Sequence, residues 1–101
     1  MSSKKVILFP GSFDPFTLAH EQIVRQALSF FDEVVVGIGC NIFKQGFLSV
    51  PNRITLIEKV FENEERVRVV NYDSLTVDFC AKNNIHHIVR GLRNYADFEM
   101  E

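Results

Sequence analysis

A chain of 101 residues, 47% of them hydrophobic and 24% charged, suffices for one globular domain and excludes a disordered tail. Its net charge of −2, with no basic block, argues against a nucleic-acid surface, so any bound anion must be met by locally focused charge. No apolar run approaches the roughly 18 residues of a membrane span, and the apolar stretch after MSSKK is too short for a secretory signal. A cytoplasmic protein without a membrane partner is expected.

In chain order, Val6 to Phe9 suits a short buried strand. The loop PGSFDPFTLAH follows, and then helical spacing puts Ile23, Val24, Ala27, Leu28 and Phe31 on one face. DEVVVGIG is a second β-branched run ended by glycine, and CNIFKQGFLS reads as a loop. Ser49 with Pro51 marks the start of a second helix, with Ile54, Ile57, Val60 and Phe61 on its apolar face. RVRVVNY is a third strand, SLTVDFCAKNN a short helix with Ser74 as N-cap, and HHIVR a fourth strand. GLRNYADFEME begins another helix. Cys40 and Cys80 lie in apolar sequence without a neighbouring thiol, which fits reduced, core-facing residues.

Alternating strands and helices of this kind signal βαβ units, an α/β fold with a parallel sheet, and right-handed crossovers. Open parallel sheets bind ligands in the crevice at the carboxyl ends of their strands. The chemistry-bearing residues follow strands here: Ser12 to His20 after the first, Lys44 after the second, Asp73 to Thr76 after the third, Arg90 and Arg93 after the fourth. Four cationic or protonatable groups at one rim of a slightly acidic protein make a concentrated positive site, suited to phosphates.

In the first loop, Gly11 permits a close approach to a ligand or a positive φ, and Ser12 offers a hydroxyl and an N–H to a phosphate oxygen. Pro10 and Pro15 stiffen the turn. Asp14 reads as a turn-fixing acceptor for an N–H two residues on, rather than a catalytic base. Thr17 and His20 share a face near a helix N-terminus, where free N–H groups and the dipole favour anions. The plainer reading makes Ser12 or Thr17 a helix cap and His20 a half-buried ring. His86 and His87, adjacent on a strand, point to opposite faces and form no joint metal site. Two distant cysteines make a zinc site improbable. Phe13, Phe16, Phe43 and Phe47 are core residues or a pocket wall.

PGSFDPFTLAH resembles the signature of the nucleotidyltransferase superfamily with the H/T-x-G-H motif. VRGLRNYADFEME is similar to the R-G-L-R-x-x-x-D-F-E-x-E segment of the bacterial phosphopantetheine adenylyltransferase family, and the resemblance runs along all 101 residues. It implies one nucleotidyltransferase domain, residues 1–101, with a Rossmann-like doubly wound sheet in the order 3-2-1-4-5. The implied reaction transfers the adenylyl group of ATP to 4'-phosphopantetheine, giving dephospho-coenzyme A and pyrophosphate. Mg²⁺ would arrive with the triphosphate, and the family assembles as homo-oligomers, typically hexamers. The resemblance assigns His20 to transition-state charge on the α-phosphate, with Lys44 and Arg93 also catalytic. It assigns Ser12, Phe13, Thr17, Gly91, Leu92, Arg93 and Glu101 to the ATP side. Lys44, Arg90, Thr76 and Ser12 go to the acceptor.

Two departures stand out. Ala19 occupies the motif's usual glycine position, placing a methyl group where backbone and nucleotide meet. Family members also continue through the last helix to a further strand and a Ser-rich loop, so the sheet is expected to be incomplete at its C-terminal edge and the chain destabilised or associating. A stable monomer on size exclusion would count against that. Two other readings stand beside the adenylyltransferase: a form that binds nucleotide or phosphopantetheine without turnover, and a related transferase acting on another phosphorylated acceptor.

Overall fold

A computed structural model describes residues 4–39 and 48–89. The elements are β1 (Val6–Gly11), α1 (Leu18–Ala27), β2 (Glu33–Gly39), α2 (Val50–Val60), β3 (Val67–Tyr72), α3 (Thr76–Lys82) and β4 (His87–Ile88). All strand pairs are parallel and the order is β3-β2-β1-β4. The four described strands thus take the 3-2-1-4 order of a doubly wound Rossmann-like sheet. The chain steps outward from β1 to β3, then crosses back to place β4 on the other side of β1. That reversal makes the carboxyl ends of β1 and β4 the expected crevice.

Strand periodicity divides the core into two layers. Ile7 and Phe9 of β1, with Val34, Val36 and Ile38 of β2, pack against Val24 and Leu28 on the α1 side and Ile57 and Phe61 on the α2 side. The intervening Leu8 and Val35 face the opposite way, against Cys80 of α3 and Ile85. Helices therefore cover both faces, as nearly continuous apolar strands require. Cys80 is buried, and that burial raises its thiol pKa, in keeping with a packing role. Cys40 lies outside the described residues.

Several boundaries differ from the sequence expectation. β1 runs two residues further, because Pro10 and Gly11 still pair with Gly37 and Ile38. Ser49 caps α2 by accepting from Asn52 N–H at 3.3 Å, as expected, but Val60 is 39% exposed. Ser74 is not the cap of α3. Leu75 takes that place without a side-chain bond, and Ser74 Oγ instead donates to Leu75 O at 3.2 Å. His86 lies before β4 and bonds Asn84 Oδ1 at 3.0 Å, since Asn84 ends the α3 turn in the left-handed region at φ 57°. The expected fourth strand spans 86–90; its described ladder covers His87 and Ile88, and Val89 N–H continues it to Leu8 O at 2.8 Å.

Candidate active site

A cleft of about 460 Å³ opens where β1 ends, lined by residues 9–15 with Ala19, His20 and Ile23. A recess of about 430 Å³ near the start of β1 is lined by Lys4, Asp32, Glu33, Glu64, Glu65 and Arg66. Its charges are largely matched within the surface by Arg66–Glu64 and by Arg68–Glu33 just beside it. The first cleft lies on the strand ends where a doubly wound sheet places its ligand.

Its loop is held in an unusual shape. Phe13 sits at φ 51°, a conformation that costs a bulky residue about 1–3 kcal/mol unless its surroundings impose it. They do: the ring is 3% exposed, edge-on to Phe9 at 5.0 Å and to His20 at 5.1 Å, with Phe16 at 5.4 Å. Gly11 does not have a positive φ, contrary to one of the two roles expected of it. Its missing Cβ makes room for the Phe13 ring, so the left-handed residue lies two positions further on.

Thr17 and His20 form a reciprocal cap on α1. The Thr17 N–H donates to His20 Nδ1 at 2.9 Å, Thr17 Oγ1 lies 3.0 Å from the same nitrogen, and His20 N–H donates weakly to Thr17 Oγ1 at 3.4 Å. A ring nitrogen that accepts a backbone N–H carries no proton, so the neutral imidazole has its hydrogen on Nε2. Phe9, Phe13 and Phe16 surround this ring at 5.1–6.0 Å, and the resulting desolvation lowers its pKa. Nε2–H makes no hydrogen bond to a described residue. The first-turn N–H groups of Leu18 and Ala19 have no intrahelical acceptor either. Both the plainer reading, Thr17 as cap with His20 half-buried, and the geometry needed for an anion donor are present together.

Asp14 accepts from Leu48 N–H at 2.7 Å. It is an acceptor, as expected, but the N–H it meets here is 34 residues away, so the bond ties the loop to the start of α2. Sequence reasoning missed Arg53. This α2 side chain is 8% exposed, and it donates from Nε to Leu48 O and from Nη1 to Ser12 O, each at 2.9 Å. Its signal was positional: residue 53 falls four before Ile57 and eight before Phe61, on the buried stripe of the helix.

The structure brings Ser12, Phe13, Thr17 and His20 together at one loop. Ser12 is exposed there with its hydroxyl unbonded to any described residue. Thr76 begins α3 beyond β3, its hydroxyl 2.9 Å from that of Tyr72, and it does not line the cleft. Lys44, Arg90, Gly91, Leu92, Arg93 and Glu101 lie outside the described residues, as do Phe43 and Phe47. Among the described residues no group of three or more His, Cys, Asp or Glu could hold a metal ion.

A parallel sheet reversing beside β1, with a capped histidine and an exposed serine at the cleft where β1 ends, has the architecture of a Rossmann-like nucleotidyltransferase fold. The cytidylyltransferase-like family model matches residues 8–101, and the chain belongs to that family. Within it, the chain is 48% identical over 94 residues to phosphopantetheine adenylyltransferase of Flavobacterium johnsoniae, covering 93% of this chain and 62% of that protein. The same values hold for the enzyme of that name from Phocaeicola vulgatus, and identity is 41% over 98 residues for that of Vesicomyosocius okutanii. The chain thus spans about 62% of the length of these curated relatives.

Solved structures agree on the fold. A NadR protein in complex with NAD and AMP-PNP superposes with a TM-score of 0.65 at 17% identity, over 87% of this chain and 31% of that one. Nicotinic acid mononucleotide adenylyltransferase of Plasmodium falciparum, complexed with NaAD, gives 0.61 at 21% identity, over 87% and 50%.

Proposed function

We propose that this chain carries the adenylyl-transfer site of a phosphopantetheine adenylyltransferase, converting ATP and 4'-phosphopantetheine to dephospho-coenzyme A and pyrophosphate. The observation that carries the reading is the His20 ring, fixed through Nδ1 by Thr17 N–H so that Nε2–H is the free donor. The names of the relatives support the choice of reaction.

In the reaction an oxygen of the acceptor phosphate attacks the α-phosphorus in line, a new P–O–P link forms, and the α–β bridging bond breaks to release pyrophosphate. Negative charge grows on the non-bridging α-oxygens, where a preorganised donor such as His20 Nε2–H contributes most. Because Nδ1 accepts the Thr17 N–H, the single proton of the neutral ring sits on Nε2, the atom that donates this hydrogen bond. Ser12 and the first turn of α1 supply further donors to the phosphates. Lys44 and Arg90 would hold the acceptor phosphate, with Thr76 offering main chain to its pantetheine arm. Arg93, Gly91, Leu92 and Glu101 would meet the nucleotide. Mg²⁺ would be held chiefly by the triphosphate of ATP and would supply charge neutralisation there. No covalent enzyme intermediate is required, since positioning and fixed positive charge account for the acceleration. A cytoplasmic homo-oligomer is the proposed form.

A pyrophosphate-release assay with ATP and alternative acceptors, run beside equilibrium binding, tests the reading. Release with 4'-phosphopantetheine alone supports it. Release only with a nicotinate or nicotinamide mononucleotide reassigns the acceptor, and binding without release shows a non-catalytic form.

A further inference from the structure

We infer that Arg53 is a positioning residue for adenylyl transfer, setting the Ser12–Phe13 peptide so that its N–H faces the cleft; this rests on the reaction proposed above. Arg53 is the single buried charged side chain among the described residues. Burying a guanidinium costs desolvation that an apolar side chain of similar volume would avoid, so helix packing alone does not call for it. What an apolar residue cannot do is join two backbone segments. The planar fork bonds Leu48 O through Nε and Ser12 O through Nη1, both at 2.9 Å, while Leu48 N–H is held by Asp14 at 2.7 Å. Residue 48 is therefore fixed at both its N–H and its C=O, four positions after Lys44.

The bond to Ser12 O has a directional consequence. In a planar trans peptide the C=O and the following N–H point in opposite directions. With Ser12 C=O turned towards Arg53, Phe13 N–H turns away from α2. This N–H makes no hydrogen bond to a described residue, and both Ser12 and Phe13 line the cleft. The left-handed Phe13 backbone at φ 51° is the conformation being held. Arg53 thus acts through the loop, making a main-chain donor available beside the Ser12 hydroxyl.

The test compares Arg53→Met and Arg53→Lys with Ile57→Val, a core change one turn along the same helix, in the full-length protein. Turnover, the KM values for ATP and acceptor, and the unfolding midpoint are measured for each. Arg53→Met is expected to lower kcat by about 100-fold and Arg53→Lys, which retains one bond and the charge, by about 10-fold, with KM changed by less than about threefold. Ile57→Val lowers the midpoint and leaves kcat unchanged. A second readout is hydrogen exchange at the Phe13 amide with and without α,β-methylene ATP: protection appears in the wild type and is lost in Arg53→Met.

The inference is overturned by a folded Arg53→Met whose kcat is within about threefold of wild type, well short of the loss that misplacement causes. If Arg53→Met does not fold, Arg53→Lys decides on the same criterion. An equal loss of kcat in Ile57→Val also overturns it. A wild type that transfers to no acceptor removes the proposed reaction but leaves the exchange test intact. Protection that survives in the folded Arg53 variant, or is missing in the wild type, then refutes the role of Arg53.

Discussion

Gly11→Ala is expected to destabilise the fold through a single ring. An added Cβ would lie 2.9 Å from Phe13 Cζ and 3.1 and 3.2 Å from its two Cε atoms. Non-bonded carbons prefer roughly 3.5–4.0 Å, so the ring must give way by about half an ångström. It has nowhere to go, being 3% exposed and braced by Phe9 at 5.0 Å and His20 at 5.1 Å. Its backbone is already in the left-handed region. Overpacking of this kind costs about 1–3 kcal/mol. In a domain of this length each kcal/mol lowers Tm by about 4–8 °C.

Urea unfolding read by linear extrapolation measures the loss, which should appear in the midpoint with the slope unchanged. Phe13→Leu removes the ring atoms that the methyl group meets. In that background the Gly11→Ala cost should shrink, giving a coupling of about 0.5–3 kcal/mol between the two sites. A Gly11→Ala cost below about 0.5 kcal/mol, or one equal in both backgrounds, would refute the packing argument.

Three further outcomes are expected. His20→Ala should lower kcat by roughly 10²–10³-fold with little change in substrate affinity, whereas Lys44→Ala should mainly raise the acceptor KM; equal effects of both on affinity, with turnover intact, would contradict these roles. Burial lowers the folded His20 pKa below its ordinary 6.5, so the unfolded chain binds a proton that the folded one resists. The stability this contributes is complete above pH 6.5, declines as pH falls towards the folded pKa, and levels off beneath it; His20→Gln should remove that component from pH-dependent urea midpoints. Asp14→Ala leaves the part-buried Leu48 N–H without that acceptor and should cost about 1–3 kcal/mol in the same assay. Asp14→Asn retains an acceptor oxygen, and near-normal turnover would agree with a structural rather than a general-base role.

The order of elements, the parallel pairing and the rim on which the cleft opens were legible in the sequence, because each follows from a local pattern. β-branched runs make strands, 3.6-residue spacing makes helices, and Ser49 with Pro51 begins α2. The topology rule then puts whatever follows a strand on the ligand side. Thr17 and His20 were also readable as a pair, since three residues at a helix start bring them together whatever the rest of the chain does. Residues whose roles depend on distant partners were not. Nothing local to Arg53 names Ser12 O, 41 residues away, as its acceptor, and nothing near Asp14 names Leu48 N–H. Phe13 takes the left-handed backbone that glycine would favour because its ring fills the space beside Gly11, between Phe9 and His20. A short-range code sets which elements form and on which side of the sheet the cleft opens. Only packing between segments far apart in sequence decides how the loop is turned and which buried charge holds it there.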